Sequence, residues 1–159
     1  MSLQAELGLR HPIATLDHEA LLNIYFTATC VRKQAADFLR PHGLTDVQIN
    51  VLLLLRYQTR EGEGLTQAQL SDMMLVNRAN VTGLVDRLER DGRVARTADP
   101  ADRRANVVSL TGKGQELLTK VEPEYGRRVS SIMGVLSGAE QRNLIDLLEK
   151  VRANICKPQ

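Results

Sequence analysis

The sequence predicts a mainly α-helical protein of the α+β class, and three observations lead to that prediction. Long segments near both ends of the 159 residues carry apolar side chains at helical spacing. Residues 66–92 contain two shorter helical segments with only a tight turn between them. After Gly92 the apolar period changes from 3.6 to 2, which indicates strands. Two short helices followed by a two-stranded hairpin make a winged helix-turn-helix.

A long first helix is predicted over Leu16–Leu39, ended by Pro41 and Gly43. Residues 1–14, which precede it, show no periodicity and predict a loose arm. The apolar positions of the helix keep helical spacing: Leu21, Ile24, Tyr25, Ala28, Val31, Ala35 and Phe38.

The next helix begins at a capping box, in which the Thr45 hydroxyl and the Gln48 amide stand three residues apart. Its apolar residues, from Ile49 to Leu55, lie on almost every side. A helix without a polar face is buried, so we expect this helix to form the core. A polar loop is predicted over residues 58–64.

Each helix of the helix-turn-helix is marked by a cap. Thr66 and Gln69 form a capping box for the first, predicted over Thr66–Met73. The side chains expected to point inward from it are Leu70, Met73 and Met74. Asn77 is a good N-cap for the second helix, which is predicted to end at Gly92. Its apolar face consists of Val81, Leu84, Val85 and Leu88.

The opposite face of this second helix is polar and contains Arg78, Asn80, Thr82 and Asp86. Polar side chains near a helix N-terminus are what a major-groove helix presents to base edges. The hairpin strands are predicted over residues 93–97 and 106–110, with a turn over residues 99–104. Because that turn holds adjacent arginines beside acidic residues, it can place a guanidinium in a narrow minor groove.

Five motifs follow each other in this region: Asn77–Thr82, Leu84–Leu88, Gly92, Asp99–Arg104 and Leu110–Gly114. In these motifs the chain resembles the MarR family of bacterial and archaeal transcription regulators, which bind DNA as homodimers. The resemblance covers nearly the whole chain, and the run from the wing into Leu-Thr-x-x-Gly is its most specific part. Arg93 departs from the pattern, because the family usually has an apolar or aromatic residue there.

The residues predicted to bind DNA are Asn77, Arg78, Asn80, Thr82, Arg87, Asp102, Arg103 and Arg104. Arginine can pair with guanine and asparagine with adenine in the major groove. The resemblance makes Arg104 the better candidate for minor-groove insertion and Arg103 the second. The Asp102 carboxylate can hold a neighbouring guanidinium in place.

Two further helices are predicted after the wing. Thr111 caps the first, whose apolar positions are Leu117, Leu118, Val121, Tyr125, Val129, Ile132, Met133 and Leu136. Pro123 lies inside it and predicts a kink. Ser137 and Glu140 mark the start of the last helix, whose stripe is Leu144, Leu147, Leu148, Val151 and Ile155.

The terminal helices carry wider apolar stripes than a monomer of this size can readily bury. Pairing with a second copy through residues 10–40 and 115–155 would remove them from water. The predicted fold is therefore a winged helix-turn-helix (residues 41–111) with N- and C-terminal dimerisation helices (1–40 and 112–159) in one intertwined domain. A two-fold axis also fits a palindromic operator in double-stranded DNA. The alternative is a helical lid packed on its own subunit.

Composition excludes several classes of protein. No apolar run reaches the roughly 18 residues of a membrane span, and the N-terminus lacks a signal-peptide pattern, so we expect a cytoplasmic protein without a membrane partner. The net charge is only +2. Residues 66–111 hold seven basic and six acidic residues, a net of 7 − 6 = +1. All seven bases are arginines, which suit bidentate contacts to guanine and phosphate.

The sequence offers no catalytic or metal-binding motif, so we expect neither an enzyme nor a cofactor. The cysteines, Cys30 and Cys156, lack CxxC spacing. The histidines, His11, His18 and His42, are expected at the surface or at boundaries. Some members of the family sense peroxides through a cysteine near the start of the first helix. Cys30 lies in mid-helix and is expected to be a buried, inert thiol.

The predicted function is that of a sequence-specific transcription regulator, a repressor released by a small ligand such as an aromatic or phenolic acid. The resemblance implies the ligand and a crevice for it, near which His18, Tyr25, Arg32 and Tyr57 are candidates. One alternative is a winged-helix module that binds proteins, although such a face would more often show exposed aromatic residues. Another is a thiol-based redox-sensing regulator that uses Cys30.

Overall fold

The computed structural model describes residues 2–60, 63–74, 77–99 and 106–156. Its helices are α1 (Leu3–Glu6), α2 (Leu16–Leu39), α3 (Asp46–Tyr57), α4 (Gln67–Met74), α5 (Arg78–Arg90), α6 (Gly112–Met133) and α7 (Gly138–Ile155). Its strands are β1 (Leu65–Thr66), β2 (Val94–Ala98) and β3 (Asn106–Leu110), and a 3-10 turn over Arg40–His42 follows α2. The mainly helical winged helix-turn-helix fold is thereby confirmed.

The chain divides into two units, Met1–Gln115 and Glu116–Gln159. The first contains α1 to α5 and the sheet. The three-part division predicted from the sequence, with boundaries at residues 40 and 111, stays a prediction.

The N-terminal arm differs from the expectation. Residues 3–6 form one helical turn, and the carbonyl of Ser2 accepts hydrogen bonds from the amides of Ala5 and Glu6. Leu3 is buried. A four-residue helix is too short to show a periodic pattern, so it could not be predicted from the sequence.

Helix α3 lies at the centre of the first unit. The capping box at Thr45 and Gln48 is present and starts the helix where expected. The buried apolar side chains of α3 are Ile49, Val51, Leu52 and Leu55. Other elements of the same unit add Leu70, Val81, Val85, Leu88, Leu65, Val94 and Val108 to the buried set. Burying each such side chain contributes about 1.5–3 kcal/mol relative to exposure.

Helix α4 begins after its predicted capping box, in which Thr66 and Gln69 exchange hydrogen bonds at 2.8 and 3.2 Å. Leu70 is buried as expected, but the prediction for Met73 was wrong, because its side chain is 47% exposed. Ser71 is buried on the inner face. The face of α4 that points into the core is therefore centred between Leu70 and Ser71, and Met73 lies beside that face.

The sheet is antiparallel, with strand order β1-β3-β2. β3 has its predicted bounds, and β2 begins one residue later than expected. β1 was not predicted, because two residues are too few to show alternation. Leu65 pairs with Val108, and a Cβ on Gly64 would lie only 2.2 Å from the Val108 carbonyl oxygen. Glycine therefore permits this close approach of the two backbones.

The second unit contains most of α6 and all of α7. Ser137 and Glu140 form the predicted capping box at the start of α7. Pro123 lies within α6, which extends on both sides of it; the kink stays a prediction. None of the helices that the structure describes is long and apolar enough to cross a membrane.

Candidate nucleic-acid interface

Helix α5 has three distinct faces. Val81, Val85 and Leu88 are fully buried and attach the helix to the core. A second face, formed by Thr82, Asp86 and Glu89, contacts side chains of neighbouring elements. The third face is open to solvent and carries Asn80, Arg87 and Arg90. Asn80 and Arg87 are seven residues apart, so their side chains project from the same side of the helix.

The N-terminus of α5 is capped as the sequence predicts. Asn77 has extended backbone angles, and its side-chain oxygen accepts a hydrogen bond from the amide of Asn80 at 3.0 Å. Both residues are exposed. The positive end of the helix dipole therefore lies beside the open face, where it favours a phosphate or another anion.

Arg96 of β2 joins the second face of α5 to the wing. Its guanidinium forms an ion pair with Asp86 at 2.5 Å and another with Glu89, and its backbone amide donates to Glu89 at 3.1 Å. The side chain of Arg96 is only 18% exposed. Burial lowers the pKa of Arg96, but hydrogen bonds with Asp86 and Glu89 outweigh that effect and raise it. The arginine therefore stays charged between two carboxylates.

Gln67 extends this network into α4. Its amide lies between the Thr82 hydroxyl and the Arg96 guanidinium, which has donors only. The amide is therefore assigned with its oxygen toward Arg96, at 3.0 and 3.1 Å from Nε and Nη2, and with its nitrogen donating to Thr82 at 2.8 Å. Thr82, Gln67 and Arg96 thus connect both helices of the motif to the first wing strand.

The predicted DNA-binding residues fall into three groups in the structure. Asn77, Asn80 and Arg87 are exposed on or beside α5, whereas the Thr82 hydroxyl contacts Gln67. Arg78 is the first residue of α5, and its side chain lies outside the described part. The wing-tip residues predicted from the sequence also lie outside the described residues: Asp102, Arg103 and Arg104.

The four candidate ligand residues are exposed: His18, Tyr25, Arg32 and Tyr57. A cavity of about 330 Å³ lies where α2 meets α3, and its lining consists of other residues, among them Ala36, Leu44 and Gln48. The ligand assignment therefore stays a prediction.

The expectation for Cys30 was wrong, because the thiol is exposed in this chain. The first unit covers little of the middle of α2, where residues 23–34 are all exposed. Cys156, at the end of α7, is also exposed. His11 and His18 are exposed and His42 is half-buried against Phe38, which confirms their predicted surface and boundary positions.

Comparison with known proteins agrees with this geometry. A family model described as MarR family matches residues 42–105. The chain is 38% identical over 111 residues to the HTH-type transcriptional regulator YkoM of Bacillus subtilis, covering 70% of each protein. The chain belongs to the MarR family. It is a helix-turn-helix transcriptional regulator.

Two further comparisons bear on the fold and on the regulatory role. The transcriptional activatory protein BadR of Rhodopseudomonas palustris is 28% identical over 141 residues, 88% of this chain and 80% of BadR. The crystal structure of Sco3205, a MarR family transcriptional regulator from Streptomyces coelicolor in complex with DNA, superimposes with a TM-score of 0.82 at 24% identity. The superposition covers 92% of this chain and 96% of the Sco3205 chain. This likeness supports the fold.

The Leu-Thr-x-x-Gly run that resembles the family has a structural role at the base of the wing. The Thr111 hydroxyl donates to the Gly92 carbonyl at 2.7 Å and accepts from the amide of Gly114 at 3.1 Å. A Cβ on Gly114 would lie 2.1 Å from the Arg93 carbonyl oxygen. Lys113 donates to the Asp91 carbonyl at 2.7 Å. These residues join the start of α6 to the turn that ends α5.

Sequence reasoning missed two members of the interface. Arg96 was counted among the basic residues but not assigned to the site, and Gln67 was not considered. One signal was available, since Asp86 and Glu89 are three residues apart and share a side of α5. The cation that these carboxylates face is on another element, and periodicity within one segment cannot identify such a partner.

Proposed function

We propose that this MarR-family regulator binds double-stranded DNA in the cytoplasm as a homodimer, with α5 in the major groove. The observation that carries the proposal is the open face of α5. Asn80 and Arg87 project from it, while the other two faces are occupied by the core and by the Arg96 network. A helix held on two sides presents its third side to DNA without further ordering.

Individual contacts follow from side-chain chemistry. Asn80 is suited to adenine, and Arg78 and Arg87 to guanine or to phosphate. Arg104, with Arg103 as the second candidate, inserts into the minor groove beside the wing, and Asp102 holds it. Asn77 presents the capped N-terminus of α5 to a phosphate. Thr82 acts mainly by positioning, because its hydroxyl contacts Gln67.

The homodimer is proposed from the terminal helices. The apolar stripe of α2 is exposed at Leu21, Ile24 and Val31, and that of α7 at Leu147 and Val151. A second copy of the chain would cover both stripes, and dimerisation is typical of the MarR family. Two copies related by a two-fold axis would bind the half-sites of a palindromic operator, one helical turn apart.

We further propose repression relieved by a small aromatic or phenolic ligand, because ligand response is typical of the family. His18, Tyr25, Arg32 and Tyr57 are the candidate contacts. A ligand that favours one spacing of the two α5 helices would weaken binding, since the half-sites fit only one spacing. The relative BadR is named an activatory protein, so the direction of regulation is tested separately, with a reporter gene.

The experiment is selection of genomic fragments from the source organism with the purified protein. We expect one palindromic sequence to be enriched. When small acids are then screened, we expect one of them to release the protein from that operator. Arg104→Ala is then compared with wild type at two salt concentrations. It should weaken operator binding at both, because the wing contact is lost. Equal affinity at both would remove the wing from the interface, and failure to enrich any DNA would overturn the proposal.

A further inference from the structure

The C-terminal end of α2 forms a tight corner over residues 39–44. The amide of Leu44 donates to the Leu39 carbonyl at 3.1 Å, and that of Gly43 donates to the Arg40 carbonyl at 3.0 Å. Gly43 has a φ of +62°, the left-handed conformation of a Schellman motif. This motif leaves the carbonyls of His42 and Gly43 to find donors outside the helix, at the negative end of the helix dipole.

Arg93 supplies those donors from 50 residues further along the chain. Its guanidinium donates to the Gly43 carbonyl at 2.7 Å and to the His42 carbonyl at 3.3 Å. A third contact is an ion pair with Asp91 at 3.6 Å, made by the same Nη1 nitrogen that donates to Gly43. The side chain is only 13% exposed. A fork of donors on two adjacent carbonyls is a task for arginine, and the positive charge suits a helix C-terminus.

The backbone of Arg93 is fixed as firmly as its side chain. Its amide donates to the Leu88 carbonyl at 2.8 Å, and its carbonyl accepts from the amide of Thr111 at 3.2 Å. Val94, the next residue, begins β2. One residue therefore touches the end of α5, the start of α6, the base of the wing and the corner of α2.

We propose that Arg93 is a positioning residue of the DNA interface, which holds the base of the wing against the corner of α2. The inference rests on the proposed DNA binding. An apolar or aromatic side chain at this position could not donate to the two carbonyls.

The first test needs no DNA. Hydrogen exchange at the amides of Gly43 and Leu44 is compared by NMR in wild type, Arg93→Met and Arg93→Lys. We expect exchange to accelerate about fivefold or more in Arg93→Met, and less in Arg93→Lys, which keeps the charge but not the fork. Arg40→Met is the control, because the Arg40 side chain lies in the same corner but is 75% exposed and, among the described residues, forms an ion pair with Asp37 alone. Unchanged exchange in both Arg93 variants would overturn the inference.

The second test is a double-mutant cycle on operator affinity with Arg93→Met and Arg104→Ala. If Arg93 acts by positioning the wing, Arg93→Met weakens operator binding about fivefold in the wild-type background. In the Arg104→Ala background the same substitution weakens binding much less. Additive losses would overturn the positioning role; Arg93→Lys replaces Arg93→Met if the latter does not fold. If wild type binds no DNA, the proposed function fails, while the exchange measurement still decides whether Arg93 holds the corner.

Discussion

Helices α5 and α7 have similar amphipathic patterns but opposite surroundings. In α5 the apolar residues Val81, Val85 and Leu88 are fully buried within the chain. In α7 the stripe residues Leu147 and Val151 are 51% and 42% exposed, and no described residue of that helix is buried. The same apolar periodicity therefore marks a buried face in α5 and an exposed face in α7.

Helix α2 shows both situations within one element. Phe38 and Leu39 at its C-terminal end are buried, whereas residues 23–34 are all exposed. The part of the helix that reaches the winged region is therefore integrated into the core. The remainder resembles α7, and we attribute the exposed stripes of both helices to a dimer interface.

The largest effect is expected from shortening a side chain on the buried face of α5. Leu88→Ala removes a fully buried side chain and should lower the free energy of unfolding by about 2–5 kcal/mol. Leu147→Ala is the matched control on α7 and should cost much less when the dilute, dissociated protein is unfolded in urea. Equal losses would show that the two helices do not differ as described.

The exposed stripe should instead be sensitive to charge at the level of assembly. Leu147→Glu places a carboxylate on the surface that we assign to the dimer interface. We therefore expect the dimer dissociation constant to rise by about tenfold or more. Sedimentation over a range of concentrations measures it. A wild type that stays monomeric at micromolar concentration, or a variant that dimerises as tightly as wild type, would contradict the assignment.

A smaller effect is expected at the start of α7. A side-chain hydrogen bond from Ser137, and then one from its backbone, lower the pKa of Glu140 below its ordinary value. Because the folded pKa is the lower one, this capping contribution is present above the unfolded pKa and is lost as the pH falls through the folded pKa. Helix α7 should therefore fray in acid, and Glu140→Gln should flatten that pH dependence in an NMR titration. A pH dependence that the substitution leaves unchanged would exclude Glu140 as its source.

No effect on DNA binding is expected from the cysteines. Cys30 and Cys156 are exposed, but neither lies on α5 or in the wing. Cys30→Ser and Cys156→Ser should bind operator like wild type and respond to the effector as wild type does. An oxidant that abolishes binding by wild type but not by Cys30→Ser would instead support a redox-sensing regulator.

What could be predicted from the sequence was mostly local. Caps at Thr45, Asn77 and Ser137 fix where helices begin, because each cap and its partner amide are three residues apart. The burial of Met73 and Cys30 was mispredicted because it depends on how much of each helix other elements cover.

The candidate site divides in the same way. Asn80 and Arg87 could be found from position along a helix, and the structure places both on the open face. The contacts of Arg96 and Arg93 bring together segments 7 to 51 residues apart, so no spacing rule predicts them. These two arginines hold the wing to α5 and to α2.

The central claim, that the open face of α5 reads base edges, is tested most directly by Asn80→Ala. Its matched control is Asn50→Ala, an exposed asparagine on α3. Binding of wild type and both variants is measured on the selected operator, on its single-base variants and on random DNA. We predict that Asn80→Ala weakens operator binding by about 1–3 kcal/mol and relaxes the choice of base at one position, whereas Asn50→Ala changes neither. Operator affinity and base preference equal to wild type in Asn80→Ala would contradict the account.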